Sequence, residues 1–293
     1  MYARSRVIET IMRAVFFTAA ITSIVAVGLI CVFLFANGLP ALQEIGLGNF
    51  LGGEVWKPNN TPPAFGILPM IVGSLYVTAG AILIGVPIGL LAAIFLARVC
   101  PPKPYRILKP AVDLLAGIPS VVYGFFGMYA IVPLTNNKSS ILAASILLGI
   151  MILPTVIAIS ESALRAVPEH CYEGALALGA GHYRTVFTVV LPAARSGVLA
   201  AAVLGIGRAV GETMAVIMVA GNQARMPAPL LVDGSLLEGG LFKGIRTMTA
   251  NIVIEMGYAS GLHREALIAT GVVLFVFILI INLSFSALSR KKT

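Results

Sequence analysis

Residues 70–97 read MIVGSLYVTAGAILIGVPIGLLAAIFLA, and this uncharged stretch decides the fold class. No charged side chain occurs between Lys57 and Arg98. The stretch lacks the strict alternation of a half-buried strand, and a helix needs about 20 apolar residues to cross a bilayer. An open sheet edge cannot face lipid, because its backbone groups would lack hydrogen-bond partners. We therefore predict a membrane-spanning helix here.

Further apolar runs along the chain predict a polytopic membrane protein. The six predicted spans lie near 14–35, 70–97, 114–133, 141–160, 197–220 and 266–288. Hydrophobic residues make up 58% and charged residues 11% of the chain, against roughly 45–50% and 25% in soluble domains. A soluble helical bundle would need helices with polar outer faces, which these runs lack. The expected fold class is all-α, with one transmembrane domain over 1–293.

The basic residues predict the orientation of these spans. Arg4, Arg6 and Arg13 precede the first span, and lysines and arginines favour that side of the membrane about two to one. The N-terminus and the C-terminus are therefore both expected in the cytoplasm. The first apolar run is longer than the roughly 7–15 residues of a signal peptide, so we interpret it as a retained helix. The net charge of +8 then reflects topology and anionic lipid, and no nucleic acid is implied.

The chain lacks sequence patterns for catalysis and for metal or nucleotide binding. It has no P-loop, since no Gly-Lys pair occurs, and its cysteines show no CxxC spacing. His170, His182 and His263 fall in predicted loops, and Trp56 is predicted to anchor an outer loop at the membrane interface. We therefore predict no enzymatic activity, no metal site and no cofactor bound by this chain.

The predicted cytoplasmic loop 161–196 carries signals for two short helices. Pro168 suits a helix start, and Glu169 and Glu173 suit the first turns, where acidic side chains complement the helix dipole. Gly179 then ends the first helix.

This loop resembles the EAA loop of binding-protein-dependent ABC permeases, and we call 161–196 the coupling loop. The residues that carry the resemblance are Glu173, Gly174, Ala175, Gly179, Val189, Leu191 and Pro192. Gly174 and Val189 depart from the usual alanine and isoleucine. The resemblance implies the permease fold of type I ABC importers and a docking helix for a separate ATPase subunit. That subunit, and not this chain, would bind ATP and Mg²⁺.

Two other stretches resemble the PstC-type permeases of high-affinity phosphate importers. They are 207–222, which begins GRAVGETMAV, and 246–256, which reads RTMTANIVIEM. The resemblance implies import of inorganic phosphate across the inner (plasma) membrane of a bacterium. It also implies three kinds of partner: a second permease of PstA type, two ATPase subunits of PstB type and an extracytoplasmic phosphate-binding protein. Membrane lipid is a further expected partner, because of the apolar spans.

Arg208, Glu212 and Thr213 are the predicted residues of the substrate pathway. Arg208 and Glu212 are four positions apart, which predicts that they share one helix face, and charges within a span usually face a polar pathway or another helix. A guanidinium can bind two phosphate oxygens at once. An ionised Glu can accept a hydrogen bond from a protonated phosphate, which sulfate cannot offer. A purely structural ion pair is the alternative for Arg208 and Glu212.

A polar group in the predicted outer loop 221–265 is the second candidate site, and we call it the mouth cluster. Its members are Arg246, Thr247, Thr249 and Asn251. We expect the mouth cluster to shape the outer mouth of the pathway or to contact the binding protein, with a solvated loop as the alternative. The apolar segment 230–237 leaves open whether this loop re-enters the membrane.

Two other functions fit part of the same pattern. A permease for another oxyanion would carry the same coupling loop. A secondary anion transporter that works without ATP would explain Arg208 and Glu212, but it would leave the spacing of 173–192 without a cause.

The topology can be tested with reporter fusions. Fusions after Asn60 should report an extracytoplasmic position, and fusions after Lys103 and Glu169 should report a cytoplasmic one, because the basic loops stay inside. An extracytoplasmic position at Glu169 would contradict the coupling-loop interpretation, since no ATPase could reach the loop there.

Overall fold

The structure is a computed structural model, and it describes residues 2–136, 138–227 and 240–290. Within these ranges the only sheet is a small antiparallel hairpin of β1 (Trp56–Lys57) and β2 (Ala64–Phe65). All other regular structure there is helical, as predicted for this fold class. The apolar segment 230–237, on which the question of re-entry depended, lies outside the described residues.

The α-helices are numbered in chain order within the described ranges. They are α1 (Tyr2–Ile45), α2 (Leu47–Gly52), α3 (Leu68–Ile94), α4 (Pro102–Ala116), α5 (Ser120–Phe126), α6 (Val132–Leu134), α7 (Ile141–Arg165), α8 (Glu169–Ala177), α9 (His182–Thr185), α10 (Leu191–Ala193), α11 (Arg195–Gly211), α12 (Met214–Val219), α13 (Met248–Glu255) and α14 (Gly261–Arg290). Short π-helical segments continue α3, α5 and α9, and they are Phe95–Val99, Gly127–Ile131 and Val186–Val190.

In the described part of the chain, four stretches of helix are each long and apolar enough to cross a membrane. They are Ile8–Ile45, Leu68–Val99, Ile141–Arg165 and Gly261–Ser284. They correspond to the predicted spans near 14–35, 70–97, 141–160 and 266–288. The number of spans rises to six if each of two bent helix pairs counts as one span. The first helix is longer than predicted, because it continues through Pro40 to Ile45.

The prediction of one straight helix over 114–133 is wrong. The pair Pro102–Ala116 and Ser120–Leu134 is bent by 98°. Pro119 stands in the break, and the residue before a proline is driven away from helical geometry. The chain therefore turns sharply between α4 and α5.

The prediction of one straight helix over 197–220 is also wrong. α11 ends at Gly211, Glu212 has extended backbone angles (φ −71°, ψ 131°), and α12 begins only at Met214. We call Glu212 and Thr213 the helix break. A second bend, of 72°, separates His182–Ala193 from α11.

The centre of the fold is the packing of α3 against α7. A β-carbon added at Gly85 would lie 2.6 Å from Cγ1 of Ile152 and 2.7 Å from the carbonyl oxygen of Gly149, and one added at Gly89 would lie 2.8 Å from Cγ1 of Val156. Glycine thus allows the two backbones to approach closely. Close approach by small residues is the usual basis of helix packing in lipid, where apolar burial gives no driving force.

The side chains of α7 form most of the core beside this contact. Leu147, Leu148, Met151 and Ile152 are at most 1% exposed, and they pack with residues of α3 and α12 in one cluster. α1 lies outside this core and packs on α14. Most of the apolar side chains on α1 remain exposed, as expected of a surface that faces lipid.

Gly207 and Gly211 of α11 do not bring helices of this chain together. The sequence suggests Gly207 and Gly211 as a small-residue packing pair. However, a β-carbon at either position would meet no atom within 4 Å. That face of α11 is open in the isolated chain.

The α3–α7 contact predicts an unequal response to two glycine substitutions. Gly85→Ala should lower the thermal unfolding midpoint of the purified protein in detergent, because overpacking costs about 1–3 kcal/mol. Gly28→Ala is the matched control, since its new methyl group would meet no atom within 4 Å. Equal midpoints for the two variants would contradict the close contact.

Candidate functional site

The helix break lies within the predicted span 197–220 and is held by local hydrogen bonds. Oε1 of Glu212 accepts a bond from the backbone N–H of Ala215 (3.3 Å), and the Thr213 hydroxyl donates to the carbonyl of Gly211 (3.3 Å). These bonds satisfy backbone groups that a broken helix leaves free, which is a requirement at membrane depth. Glu212 therefore caps the start of α12 instead of continuing α11.

Arg208 lies in the last turn of α11, whereas Glu212 directly follows the last residue of that helix. The helix ends between them, and the salt bridges found among the described residues do not include this pair. Nη1 of Arg208 instead donates to the Thr155 hydroxyl on α7 at 3.1 Å. The alternative of a structural ion pair is thus wrong for this structure.

Arg208 keeps most of its hydrogen-bonding capacity. A guanidinium has five N–H donors, and Thr155 is the hydrogen-bond partner that the described residues provide. The side chain is only partly buried, and Gly207 beside it faces open space. This arrangement can offer a planar pair of donors to an anion.

The mouth cluster is buried, so the alternative of a solvated loop is wrong. Thr247 and Thr249 are 5% and 7% exposed, and Asn251 is fully buried. The Thr247 hydroxyl caps α13 by accepting the N–H of Ala250 at 3.2 Å. Threonine at this position satisfies a backbone donor that the helix itself cannot.

The mouth cluster also contacts the helix break. The Thr249 hydroxyl donates to the backbone carbonyl of Glu212 at 3.2 Å, and it lies 3.1 Å from the Thr247 hydroxyl. The two candidate sites predicted from separate stretches of sequence therefore meet in one place. No local sequence pattern indicates this contact.

Arg246 is the centre of a polar network around the mouth cluster. Its guanidinium donates to the carbonyl of Asn222 (3.1 Å), to Oδ1 of Asn251 (3.0 Å) and to the carboxylate of Glu255. The ion pair with Glu255 is largely buried, with side-chain exposures of 16% and 8%. A buried pair of this kind is costly to break, because one charge would be left without a partner.

Glu255, His263 and Trp56 complete this network, and sequence reasoning missed all three. Trp56 Nε1 donates to Oε2 of Glu255 at 2.8 Å, and His263 Nε2 lies 2.9 Å from the same oxygen. Trp56 is buried within the protein, and His263 lies in α14 rather than in a loop. The one signal in the sequence was a charge of each sign, Arg246 and Glu255, in a short apolar stretch.

The coupling loop has the predicted form. α8 begins at Glu169, directly after Pro168, and Gly179 follows the helix with a φ of +87°, a conformation that favours glycine. Glu173, Gly174 and Ala175 lie within α8, and Leu191 and Pro192 begin α10. The side chain of Leu178 is 91% exposed, so the loop presents an apolar side chain with no cover from this chain.

No group of three or more potential metal ligands occurs among the described residues. The arrangement holds instead one guanidinium and one carboxylate at a broken helix, beside a buried polar network.

Comparison with known proteins identifies the family. A family model described as "Binding-protein-dependent transport system inner membrane component" matches residues 85–293. "Probable ABC transporter permease protein YqgH" of Bacillus subtilis is 36% identical over 92% of this chain and 88% of its own length. The phosphate transport system permease protein PstC of Mesorhizobium japonicum is 33% identical over 93% of this chain and 87% of its own.

Solved structures show the same fold. A chain of the MetNI methionine ABC transporter, crystallised in an inward-facing conformation, superposes with a TM-score of 0.61. It covers 78% of this chain and 96% of its own length at 20% identity. The chain therefore has the permease fold of type I ABC importers.

The Glu255 network predicts a large loss of stability from a small change. Glu255→Gln keeps the size of the side chain but leaves the charge of Arg246 without a partner, which costs about 3–5 kcal/mol for a buried pair. Glu54→Gln is the control, because Glu54 is exposed and surface changes usually stay within about 0.5 kcal/mol. Thermal unfolding in detergent measures both, and similar midpoints would contradict the buried network.

Proposed function

The chain belongs to the family of binding-protein-dependent transport system inner membrane components, and on that premise we propose that it is the permease subunit of an ATP-driven importer of inorganic phosphate. The observation that carries the choice of phosphate is the 33% identity to a phosphate permease over 93% of this chain. The same similarity extends to a second organism, since PstC of Xylella fastidiosa is 32% identical over 94%.

The coupling loop supports an ATPase partner. The chain has no P-loop, so it needs an external source of energy to import against a gradient. α8 and the exposed Leu178 beyond it form a surface that one PstB-type ATPase subunit can cover. The second ATPase subunit would bind the partner permease in the same way. Glu173 and Gly179 set the charge and the end of this docking helix.

The uncovered surfaces of this chain support the remaining partners. The face of α11 at Gly207 and Gly211 has no neighbour within the chain, and a second permease of PstA type would close the pathway on that side. A phosphate-binding protein would deliver the anion at the mouth cluster. In this proposal the coupling loop and both termini are cytoplasmic, and the mouth cluster faces outward.

The pathway runs past the helix break. Arg208 offers a planar pair of donors to the anion, and the free oxygen of Glu212 accepts a hydrogen bond from a protonated phosphate oxygen. Thr213 adds a hydroxyl at the same level. A carboxylate on the same pathway as the guanidinium also keeps the anion from binding too tightly to leave, since conduction needs weak binding along the pathway.

Reconstitution tests the function. The complex of both permeases, the ATPase and the binding protein should hydrolyse ATP faster with phosphate than with sulfate, molybdate or a phosphonate. Stimulation by another oxyanion alone would assign a different substrate. Uptake of phosphate without ATP would favour a secondary transporter.

The role of Arg208 in the pathway can be tested by substitution. Arg208→Ala should lower phosphate uptake roughly tenfold or more while the complex still assembles, because a hydrogen bond to a charged group contributes about 1.5–3 kcal/mol. Arg208→Lys should restore uptake poorly, since a point charge lacks the planar fork. Thr155→Val is the control that removes the partner of Arg208 and keeps its charge, and it should reduce uptake less.

A double variant decides between transport and structure. Arg208→Met with Glu212→Leu removes both charges and leaves apolar side chains of similar size. If the pair acts on the substrate, the assembled double variant should not transport phosphate. Uptake near the wild-type rate would refute the pathway role of Arg208 and Glu212.

A further inference from the structure

Arg98 connects three segments at the predicted cytoplasmic end of the fold. It lies in the π-helical segment after α3, and its side chain is only 10% exposed. Nη2 donates to the carbonyl oxygens of Leu164 (3.1 Å) and Val167 (3.3 Å), at the end of α7. Nη1 forms a salt bridge with Glu169 at 2.8 Å, at the start of α8. A single side chain thus joins α3, α7 and the docking helix.

A second residue of α8 also contacts Arg98. The guanidinium carbon lies 5.6 Å from the centroid of the Tyr172 ring, within the range of a cation–π interaction. Glu169 and Tyr172 are three positions apart and therefore lie on one face of α8. Arg98 is accordingly bound to the face of α8 that is turned toward the bundle.

Arg165 makes the reciprocal contact from α7. Its Nη2 donates to the carbonyl of Leu96 at 2.9 Å, in the π-helical segment after α3. Its Nε donates to Oε1 of Glu161 at 2.9 Å. The contacts are therefore reciprocal: Arg98 after α3 binds a carbonyl at the end of α7, and Arg165 of α7 binds a carbonyl after the end of α3.

Glu161 fixes the position of Arg165. It is 3% exposed, and its carboxylate also accepts the phenol of Tyr105 (2.7 Å) and lies 3.3 Å from Nζ of Lys109. Tyr105 and Lys109 belong to the predicted loop before the third span, and the hydrogen bond to Glu161 raises the pKa of the Tyr105 phenol. The phenol therefore stays a donor at neutral pH.

These contacts have a physical reason at helix ends. The last carbonyls of a helix have no partner within it, and cations are favoured there by the helix dipole. Arg98 satisfies two such groups at once with one nitrogen, and the planar guanidinium leaves the other nitrogen for Glu169. A lysine has one nitrogen and could not reach both sides.

The α3–α7 pair extends from these arginines to the mouth cluster. At the other end of α3, the Ser74 hydroxyl accepts the backbone N–H of Met248 at 3.0 Å. At the start of α7, the N–H of Ser140 donates to the carbonyl of Val219 at 2.9 Å, at the end of α12. The glycine contact between α3 and α7 lies between these two ends.

We propose that Arg98 and Arg165, together the clasp, are positioning residues: Arg165 holds the end of α7 to the end of α3, and Arg98 locks the docking helix α8 to that pair. A displacement of α8 by the ATPase then moves α3 and α7 as one body and reaches the helix break and the mouth cluster. This inference rests on the proposed function, because it takes an ATPase to be bound at α8. The salt bridge to Glu169 is the weaker part, since that side chain is 61% exposed.

The test uses the full reconstituted complex. Arg98→Gln removes the charge and one arm of the guanidinium, and Arg98→Lys keeps the charge alone. Arg106→Gln is the matched control, because Arg106 is exposed and no hydrogen bond or ion pair to it was found among the described residues. Two quantities are measured for each variant: phosphate transported per ATP hydrolysed, and amide hydrogen exchange in α8 and at the end of α7.

If the clasp acts as proposed, its loss should uncouple ATP hydrolysis from phosphate transport without preventing assembly of the complex. Arg98→Gln should still co-purify with the ATPase and hydrolyse ATP, but phosphate transported per ATP should fall about fivefold or more, the lower range of measured couplings between sites. Arg98→Lys should lie in between, and Arg106→Gln should stay near wild type. Amides 164–177 should exchange faster in Arg98→Gln alone.

Each other result has a definite meaning. An unchanged transport ratio and unchanged exchange in Arg98→Gln would overturn the clasp. A parallel loss of ATPase binding, hydrolysis and transport would also overturn it, because that pattern indicates a structural role only. If the wild-type complex transports no phosphate, the proposed function fails, and faster exchange at 164–177 with retained ATPase binding still supports the clasp.

Discussion

The close contact between α3 and α7 is the constraint on which the other features of this chain depend. In lipid, two apolar helices gain little by burying side chains against each other, so contact depends on how closely their backbones approach. Gly85 and Gly89 allow that approach. The resulting pair provides a fixed frame, because its ends hold the polar groups that the bilayer would otherwise exclude: the clasp at one end and the mouth cluster at the other.

The α3–α7 pair explains why the helix of the predicted span 197–220 can be interrupted. A helix interrupted at Glu212 and Thr213 leaves backbone groups that lipid cannot satisfy. Here the Thr249 hydroxyl and the Glu212 carboxylate provide the missing partners. Thr249 in turn is held by α13, which Glu255 connects to Trp56 and His263. The break is therefore supported by a buried polar network, and its shape depends on residues far away in the sequence.

The same chain combines rigid and open surfaces. Core side chains of α7 are almost completely buried, whereas the face of α11 at Gly207 and Gly211, most apolar side chains of α1 and Leu178 are uncovered. This difference fits a subunit that folds around one central helix pair and completes its pathway with other chains. Buried charges at both ends of that pair also limit how it can repack, since breaking either ion network would leave a charge without a partner.

The sequence by itself determined the class of the protein, four of its spans and the form of the coupling loop. Each depends on local patterns: apolar runs of bilayer length, and Pro168 and Gly179 at the ends of a short helix. Only the tertiary structure decided that Arg208 and Glu212 are separated by a helix break, that the mouth cluster is buried, and that Arg98 binds α7 and α8. The physical reason is that a polar group takes its partner from whatever the fold brings near it. Trp56 and Glu255, which are 199 positions apart, form a hydrogen bond that no local pattern can predict.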